Sequence, residues 1–213
     1  MIATVVKLTV FGASGSVGQR LVDQAIDRGH EVTAVVQSTA PKSRFADPVR
    51  VVEADVYAGD DIETALEDAT VVCNVLQHSK LTPSDYITVA GRNVLAAMES
   101  VGVDRYLTVI PAAVRRENDR RGVGEAVVNS LYRLLRPTMV ADAQDHLEAV
   151  TASDLDWTVI RVLRVAKGES TRQYKTGDIK IGIGSVSHGD VASFVLDCCE
   201  RGIYVRMQPK MRT

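Results

Sequence analysis

A parallel β-sheet covered by helices on both faces is the fold class that this sequence predicts, and three observations predict it. Strand-like runs rich in β-branched residues alternate with amphipathic helical segments over most of the chain. The strand-like runs are nearly continuous in apolar residues, as expected where both faces of a sheet are buried. A glycine-rich turn stands between the first run and the first helix, where a doubly wound, Rossmann-like sheet binds ligands at the carboxyl ends of its strands.

The elements follow in order. Residues 6–11 (VKLTVF) read as the first strand. GASGSVG comes next, and then a helix in which Val17, Leu21, Val22, Ala25 and Ile26 recur at helical spacing and Gly29 marks the end. With a second strand at 31–36 this makes a βαβ unit of about thirty residues. Further strands are expected at 49–53, 71–76, 105–110 and 157–162. A short helix is expected at 60–66, and one capped by Ser84 or Asp85 runs through Met98 to Gly102. Residues 115–125 are polar and read as a surface loop. Helices at about 125–135 and 141–152 are separated by Pro137. Short strands are expected at 179–181, 184–187 and 203–207, and a helix at 190–199. The expectation is one domain over 1–213, with residues 164–213 forming a small C-terminal substrate-side lobe.

Composition narrows the class of partner. The chain has 213 residues, 46% hydrophobic and 24% charged, with a formal charge of −2. This suits a globular protein and gives no basic excess for nucleic acid or an anionic membrane. No apolar run approaches the roughly 18 residues of a membrane helix. The N-terminal MIATVVKLTV reads as a buried strand and not as a signal peptide. The three cysteines, Cys73, Cys198 and Cys199, are odd in number and lack metal-ligand spacing, so a reducing cytoplasm is expected and no metal. A small-molecule substrate and a monomer or homodimer are the expected company.

Gly12, Gly15 and Gly18 form a G-x-x-G-x-x-G pattern. A pyrophosphate needs close backbone approach and free N–H donors, which glycine and a helix N-terminus supply. Ser14 and Ser16 add hydroxyl donors. The position after a strand and before an amphipathic helix separates this pattern from a plain turn. The second strand ends in Gln37-Ser38, without the carboxylate that selects NAD by holding the ribose 2′-OH. Lys42 and Arg44 follow closely, so NADP (as NADPH) is the favoured cofactor and NAD the alternative.

The segments VFGASGSVGQRLVDQAIDRGHEVTAVVQ, EADV, AGRNVLAAMESVGVDRYLTV and SDLDWTVIR together resemble the atypical short-chain dehydrogenases. Within that group the chain is most similar to the NAD(P)H-binding proteins related to biliverdin-IXβ reductase, also called flavin reductase. The resemblance implies a Rossmann fold, NADPH as hydride donor and a planar ring acceptor. It implies that Gly12, Ser14, Gly15, Ser16 and Val17 bind phosphate, that Asp55 and Val56 flank the adenine, and that Val75, Leu76 and Gln77 lie under the ribose and nicotinamide. The chain departs from the pattern at three places. Gln37 replaces the common arginine for the 2′-phosphate, Ile110-Pro111-Ala112 replaces a Ser or Thr near the nicotinamide, and strand six ends in Arg161-Val162-Leu163.

No Tyr-x-x-x-Lys pair is present. Tyr132 and Arg136 have the same spacing, and the arginine charge would lower the tyrosine pKa; an ordinary amphipathic helix explains the pair equally. His78 follows the fourth strand at the ligand-binding edge and is a candidate proton donor or substrate-orienting group. Asp142, Asp145 and His146 cluster near a helix start, where Asp142 serves as a cap or a catalytic acid. His146 and His188 are weaker candidates, and Trp157 reads as core. Hydride transfer to a flavin or quinone needs orientation and a dry site more than a dedicated acid. The sequence therefore predicts an NAD(P)H-dependent oxidoreductase acting on a flavin, quinone or similar planar acceptor. The alternative is a non-catalytic NAD(P)-binding redox sensor.

Overall fold

The structure is a computed structural model. It describes residues 5–37, 45, 47–114, 123–181 and 184–213, with residues 123 and 124 described by their backbone alone. Of the loop expected at 115–125, residues 115–122 lie outside the described residues, as do Ser38, Lys42 and Arg44, while residues 123–125 belong to a helix rather than a loop.

The first half alternates as the apolar periodicity predicts. It runs β1 (Lys7–Phe11), α1 (Ser16–Asp27), β2 (Glu31–Val36), β3 (Arg50–Glu53), α2 (Ile62–Leu66), β4 (Val71–Asn74), α3 (Tyr86–Val101) and β5 (Arg105–Pro111). Then follow α4 (Val123–Leu135), α5 (Pro137–Ala152), β6 (Asp156–Val162), β7 (Val165–Ala166), β8 (Lys175–Gly177), β9 (Val186–Ser187), α6 (His188–Arg201) and β10 (Lys210–Arg212). Eight strands form one sheet in the order β3-β2-β1-β4-β5-β6-β10-β8, parallel throughout except for the edge pair β10–β8. This is the Rossmann-like doubly wound sheet, with its change of direction between β1 and β4. β7 and β9 make a separate parallel pair.

The C-terminal expectations need two corrections. Residues 179–181 are not a strand; the edge strand is β8, just before them. Residues 203–207 form turns with one isolated bridge from Met207 to Thr158, and the last strand is β10. The apolar residues Ile203 and Val205 gave 203–207 its strand-like look, but Tyr204 and Arg206 take positive φ, which an extended strand cannot accommodate.

Two apolar layers flank the sheet. On one side Ile62, Val94, Met98, Leu147 and Val150 of α2, α3 and α5 pack on Phe11, Val72, Tyr106 and Val159, with Trp157 in the same cluster. On the other, Leu21 and Val22 of α1 and Val191, Val195 and Leu196 of α6 pack on Leu8, Val10, Cys73 and Ile160. Both layers mix residues distant in sequence, the usual result of winding a parallel sheet. α4 is tied down by polar groups: Glu125 accepts from Lys210 Nζ at 2.8 Å, both side chains being wholly buried, and from the N–H of Ile181. All three cysteines are buried and unpaired, with Cys73 and Cys199 sulfurs 3.6 Å apart. Burial pushes the Cys198 thiol up to about 12, which leaves it a weak nucleophile.

His146, on α5, sits against Gly91 of α3. A Cβ on Gly91 would come within 2.3 Å of its ring, so the pair of helices closes only over a glycine. Burial lowers the His146 pKa to about 4, against an opposing pull from Asp142. The unfolded chain takes up a proton at this residue near pH 6.5, which the folded chain refuses until about pH 4. Stability therefore falls as pH drops across that window, by about 3 kcal/mol from this residue alone. Denaturant unfolding at a series of pH values should show His146→Gln to be less acid-sensitive than the natural protein between pH 6.5 and 4. Equal slopes would show that the imidazole is not held neutral.

Candidate functional site

The site is built on the turn after β1. Gly12 has φ +81°, and a Cβ there would lie 2.9 Å from the backbone of Val75 and Leu76 at the end of β4. A Cβ on Gly18 would lie only 2.1 Å from the Gly12 carbonyl oxygen. The turn is closed by the N–H of Gly15 donating to Gly12 O at 3.0 Å. Gly15 is the N-cap of α1, so no side chain covers the helix start, and the first turn carries no acidic residue. The first N–H groups of a helix have no partner within it and carry partial positive charge. Such an uncovered end fits a phosphate.

In front of the turn lies a cleft of about 250 Å³ at the carboxyl edge of the sheet. Gly12, Ser14, Gly15, Gln37, Val56, Val75, Leu76 and Gln77, all singled out in the sequence, line it. Three others take different places. Val17 is buried in the core, so only its backbone can serve the turn, and Ser16 is exposed at the start of α1 outside the cleft lining. The Asp55 carboxylate is turned to the backbone, accepting from the N–H groups of Tyr57 and Ala58 at 3.0 Å. It organises the turn after β3 and does not line the cleft. Gln37 donates from Nε2 to Tyr86 Oη at 3.2 Å. Tyr86 closes one wall and stacks on Tyr57, with ring centres 6.0 Å apart. Burial, with the nearby Asp55 charge, raises the Tyr86 pKa, so its hydroxyl stays neutral. Sequence reasoning missed Tyr86, although an aromatic opening the helix after β4 was a usable signal. It also missed Ala54, Ser79 and Thr82.

A second cavity, of about 350 Å³, opens beside the first. The two share Leu76 and Gln77. Its walls are mainly apolar, from Ile87, Val109, Ile110, Pro111, Met139, Ala143, Val162, Leu163 and Val165, with His78, Tyr132 and Arg164 as polar groups. These residues come from the ends of β5 and β6, the loops after β4 and β6, the start of β7, and three helices, so no local sequence pattern announces them.

The candidate catalytic groups sort themselves around this cavity. Tyr132 lines it, but burial outweighs the Arg136 charge and raises its pKa, contrary to the sequence expectation. His78 lines it too, with Nε2 2.7 Å from Asp142 Oδ2. Asp142 does not cap its own helix. It lies in the second turn of α5 and reaches across to α3, accepting from the N–H of Ile87 (Oδ2) and of Thr88 (Oδ1), each at 2.9 Å. α3 has no side-chain cap of its own, which is the physical reason for this loan. Asp145 is exposed and His146 is wholly buried, so the expected Asp142–Asp145–His146 cluster does not form one site. His188 begins α6, away from both cavities, with its pKa lowered by burial and by Arg20. Trp157 is core.

Comparison with known proteins agrees with this fold. A family model described as NAD(P)H-binding matches residues 12–201, and the chain belongs to that family. An uncharacterised Bacillus subtilis protein, YwnB, is 25% identical over 200 residues, covering 90% of this chain and 91% of its own. Two solved structures share the fold over nearly the full length of both chains. ChuY, an anaerobillin reductase from Escherichia coli O157:H7, has a TM-score of 0.80 at 18% identity, covering 97% of each chain. A short-chain dehydrogenase/reductase from Veillonella parvula in complex with NADP has a TM-score of 0.79 at 16% identity, covering 99% of this chain and 95% of its own.

Alanine in a helix is ordinarily about 1 kcal/mol better than glycine. Gly18→Ala should nevertheless lower the melting temperature and weaken dinucleotide binding, because its methyl group meets the Gly12 carbonyl. A thermal melt with calorimetric titration checks both. A variant that is stabilised and binds normally would contradict the close packing of turn and helix.

Proposed function

We propose that the protein is an NAD(P)H-dependent oxidoreductase that uses NADPH to reduce a flavin, quinone or similar planar acceptor. One observation carries this reading. The cleft in front of the glycine turn and the apolar cavity beside it meet at Leu76 and Gln77, at the carboxyl edge of the sheet. A dinucleotide anchored by its phosphates at Gly12–Gly15 would extend past these residues with its nicotinamide end at the mouth of the cavity. When bound, the cofactor supplies a hydride; the protein supplies the anchoring turn and a dry, apolar enclosure for the acceptor. The cavity volume is in the usual range for small-molecule sites.

NADPH is favoured over NADH because Gln37 presents no carboxylate to repel a 2′-phosphate. Ser38 and Arg44 complete that proposal as the phosphate's hydroxyl and cationic partners. Asp55 and Val56 flank the adenine, Asp55 through the backbone turn that its carboxylate fixes. Residues 164–213 act as the substrate-side lobe, supplying Arg164 and Val165 to the cavity. The unpaired thiols fit a reducing compartment, the cytoplasm. No helix among the described residues is long and apolar enough to cross a membrane.

Two measurements test this. Titration should show NADPH binding at least about tenfold tighter than NADH, a difference of about 1.4 kcal/mol; equal affinities would remove the argument from Gln37. Mixing the protein with NADPH and a panel of flavins and quinones should give loss of the reduced-nicotinamide absorbance with at least one of them. Binding without turnover on any acceptor would overturn the reductase and leave the redox-sensor reading.

A further inference from the structure

We infer that His78 and Asp142 form a proton-delivering dyad for the acceptor cavity, with His78 the catalytic donor and Asp142 its positioning residue. The inference rests on the reductase reading above and narrows the acceptor to a class. The acceptor must carry a carbonyl oxygen or ring nitrogen conjugated to the atom that receives the hydride.

The geometry begins at the carboxylate. Asp142 is 4% exposed and anchored at both oxygens by the N–H groups of Ile87 and Thr88. Its backbone carbonyl also accepts from Thr88 Oγ1 at 2.7 Å. A buried carboxylate tied to a helix start in this way cannot swing, so it fixes whatever leans on it. The group that leans on it is the His78 ring. Nε2 lies 2.7 Å from Oδ2, at an angle that falls short of a straight hydrogen bond. Rotation of the ring would straighten the contact, as catalytic contacts commonly tighten when substrate binds.

Asp142 engages Nε2, so Nδ1 is the nitrogen left for the cavity. Its contact with Thr82 Oγ1 is 3.5 Å, at the limit of hydrogen bonding. Thr82 is already engaged within its own turn, accepting from Ser79 N and donating to Ser79 O. It therefore competes weakly for Nδ1. Thr82 lines the cofactor cleft and His78 the apolar cavity, so the ring stands at the junction of the two. Tyr132, the hydroxyl in the cavity wall, has its pKa raised by burial, which makes it a poor proton donor.

The acceptor takes a hydride with its electron pair from the dihydronicotinamide, which is oxidised. At its conjugated oxygen or nitrogen it takes a proton from Nδ1 of the His78 imidazolium. The Nδ1–H bond breaks, a new O–H or N–H bond forms, and neutral His78 keeps its Nε2–H toward Asp142. The side chain is 12% exposed, enough for solvent to return the proton before the next turnover.

The test has two arms. At a pH high enough to remove one proton from the ring, nitrogen NMR of the cofactor-free protein should show the remaining His78 proton on Nε2, and Asp142→Asn should shift that preference toward Nδ1. A neutral His78 with the proton on Nδ1 in the natural protein would overturn the dyad without reference to activity. In turnover with a quinone that the natural protein reduces, His78→Gln and Asp142→Asn should each lower kcat, His78→Gln by about 10²-fold, with KM for NADPH unchanged. His78→Ala should regain activity with added imidazole. Turnover within twofold of natural in His78→Gln would overturn the dyad and leave the reductase intact. No turnover by the natural protein on any acceptor would overturn both.

Discussion

The contact on which the site depends is the approach of Gly18 to the carbonyl of Gly12. With no Cβ at position 18, the first turn of α1 lies directly on the exit of β1. That approach sets where the helix starts, and so where its uncovered N–H groups point. Gly12 plays the matching part toward β4, because its missing Cβ lets β1 and β4 end side by side. The reversal of strand order falls between these same strands, and both cavities open in front of them. The seating of α1 on β1, and of β1 beside β4, depends on two hydrogen atoms standing where methyl groups would collide.

Behind this frame, buried polar groups hold the second cavity in shape. Asn74 donates to Tyr106 Oη at 2.8 Å and accepts from the N–H of Leu76, fixing the path of the chain as β4 leaves the sheet. Asp142 supplies the cap that α3 lacks and pins α5 to α3 in doing so. These are high-stakes arrangements, because an unmatched buried group is costly. Their value here lies in position. They hold Leu76, Gln77 and His78 where the cleft before the glycine turn and the apolar cavity meet.

The sequence made some of this legible and hid the rest for physical reasons. The sheet, the glycine turn with Gly12, and Gln37 at the end of the second strand follow from local pattern, since apolar periodicity and glycine placement are short-range signals; Val75 came from the family resemblance. Asp142 looked like a cap because aspartate near a helix start is one; that it caps a different helix is a tertiary fact no spacing reveals. Tyr132 and Arg136 suggested an activated tyrosine, but burial decided the sign of the shift, and burial is not written in an i, i+4 pair. The cavity walls come from segments between Leu76 and Val165, joined only when the sheet closes. The strand expected at 203–207 failed on backbone dihedrals at Tyr204 and Arg206, residues whose side chains give no warning of positive φ.

The central claim is that one dinucleotide spans from the glycine turn to the mouth of the apolar cavity. A crystal structure with NADPH bound tests it most directly. The account predicts the pyrophosphate on the backbone of Gly12–Gly15, the adenine beside Val56 and Tyr86, and the nicotinamide past Leu76 and Gln77 facing the cavity that holds His78. A cofactor lying elsewhere on the chain, or bound here with its nicotinamide turned away from that cavity, would contradict it.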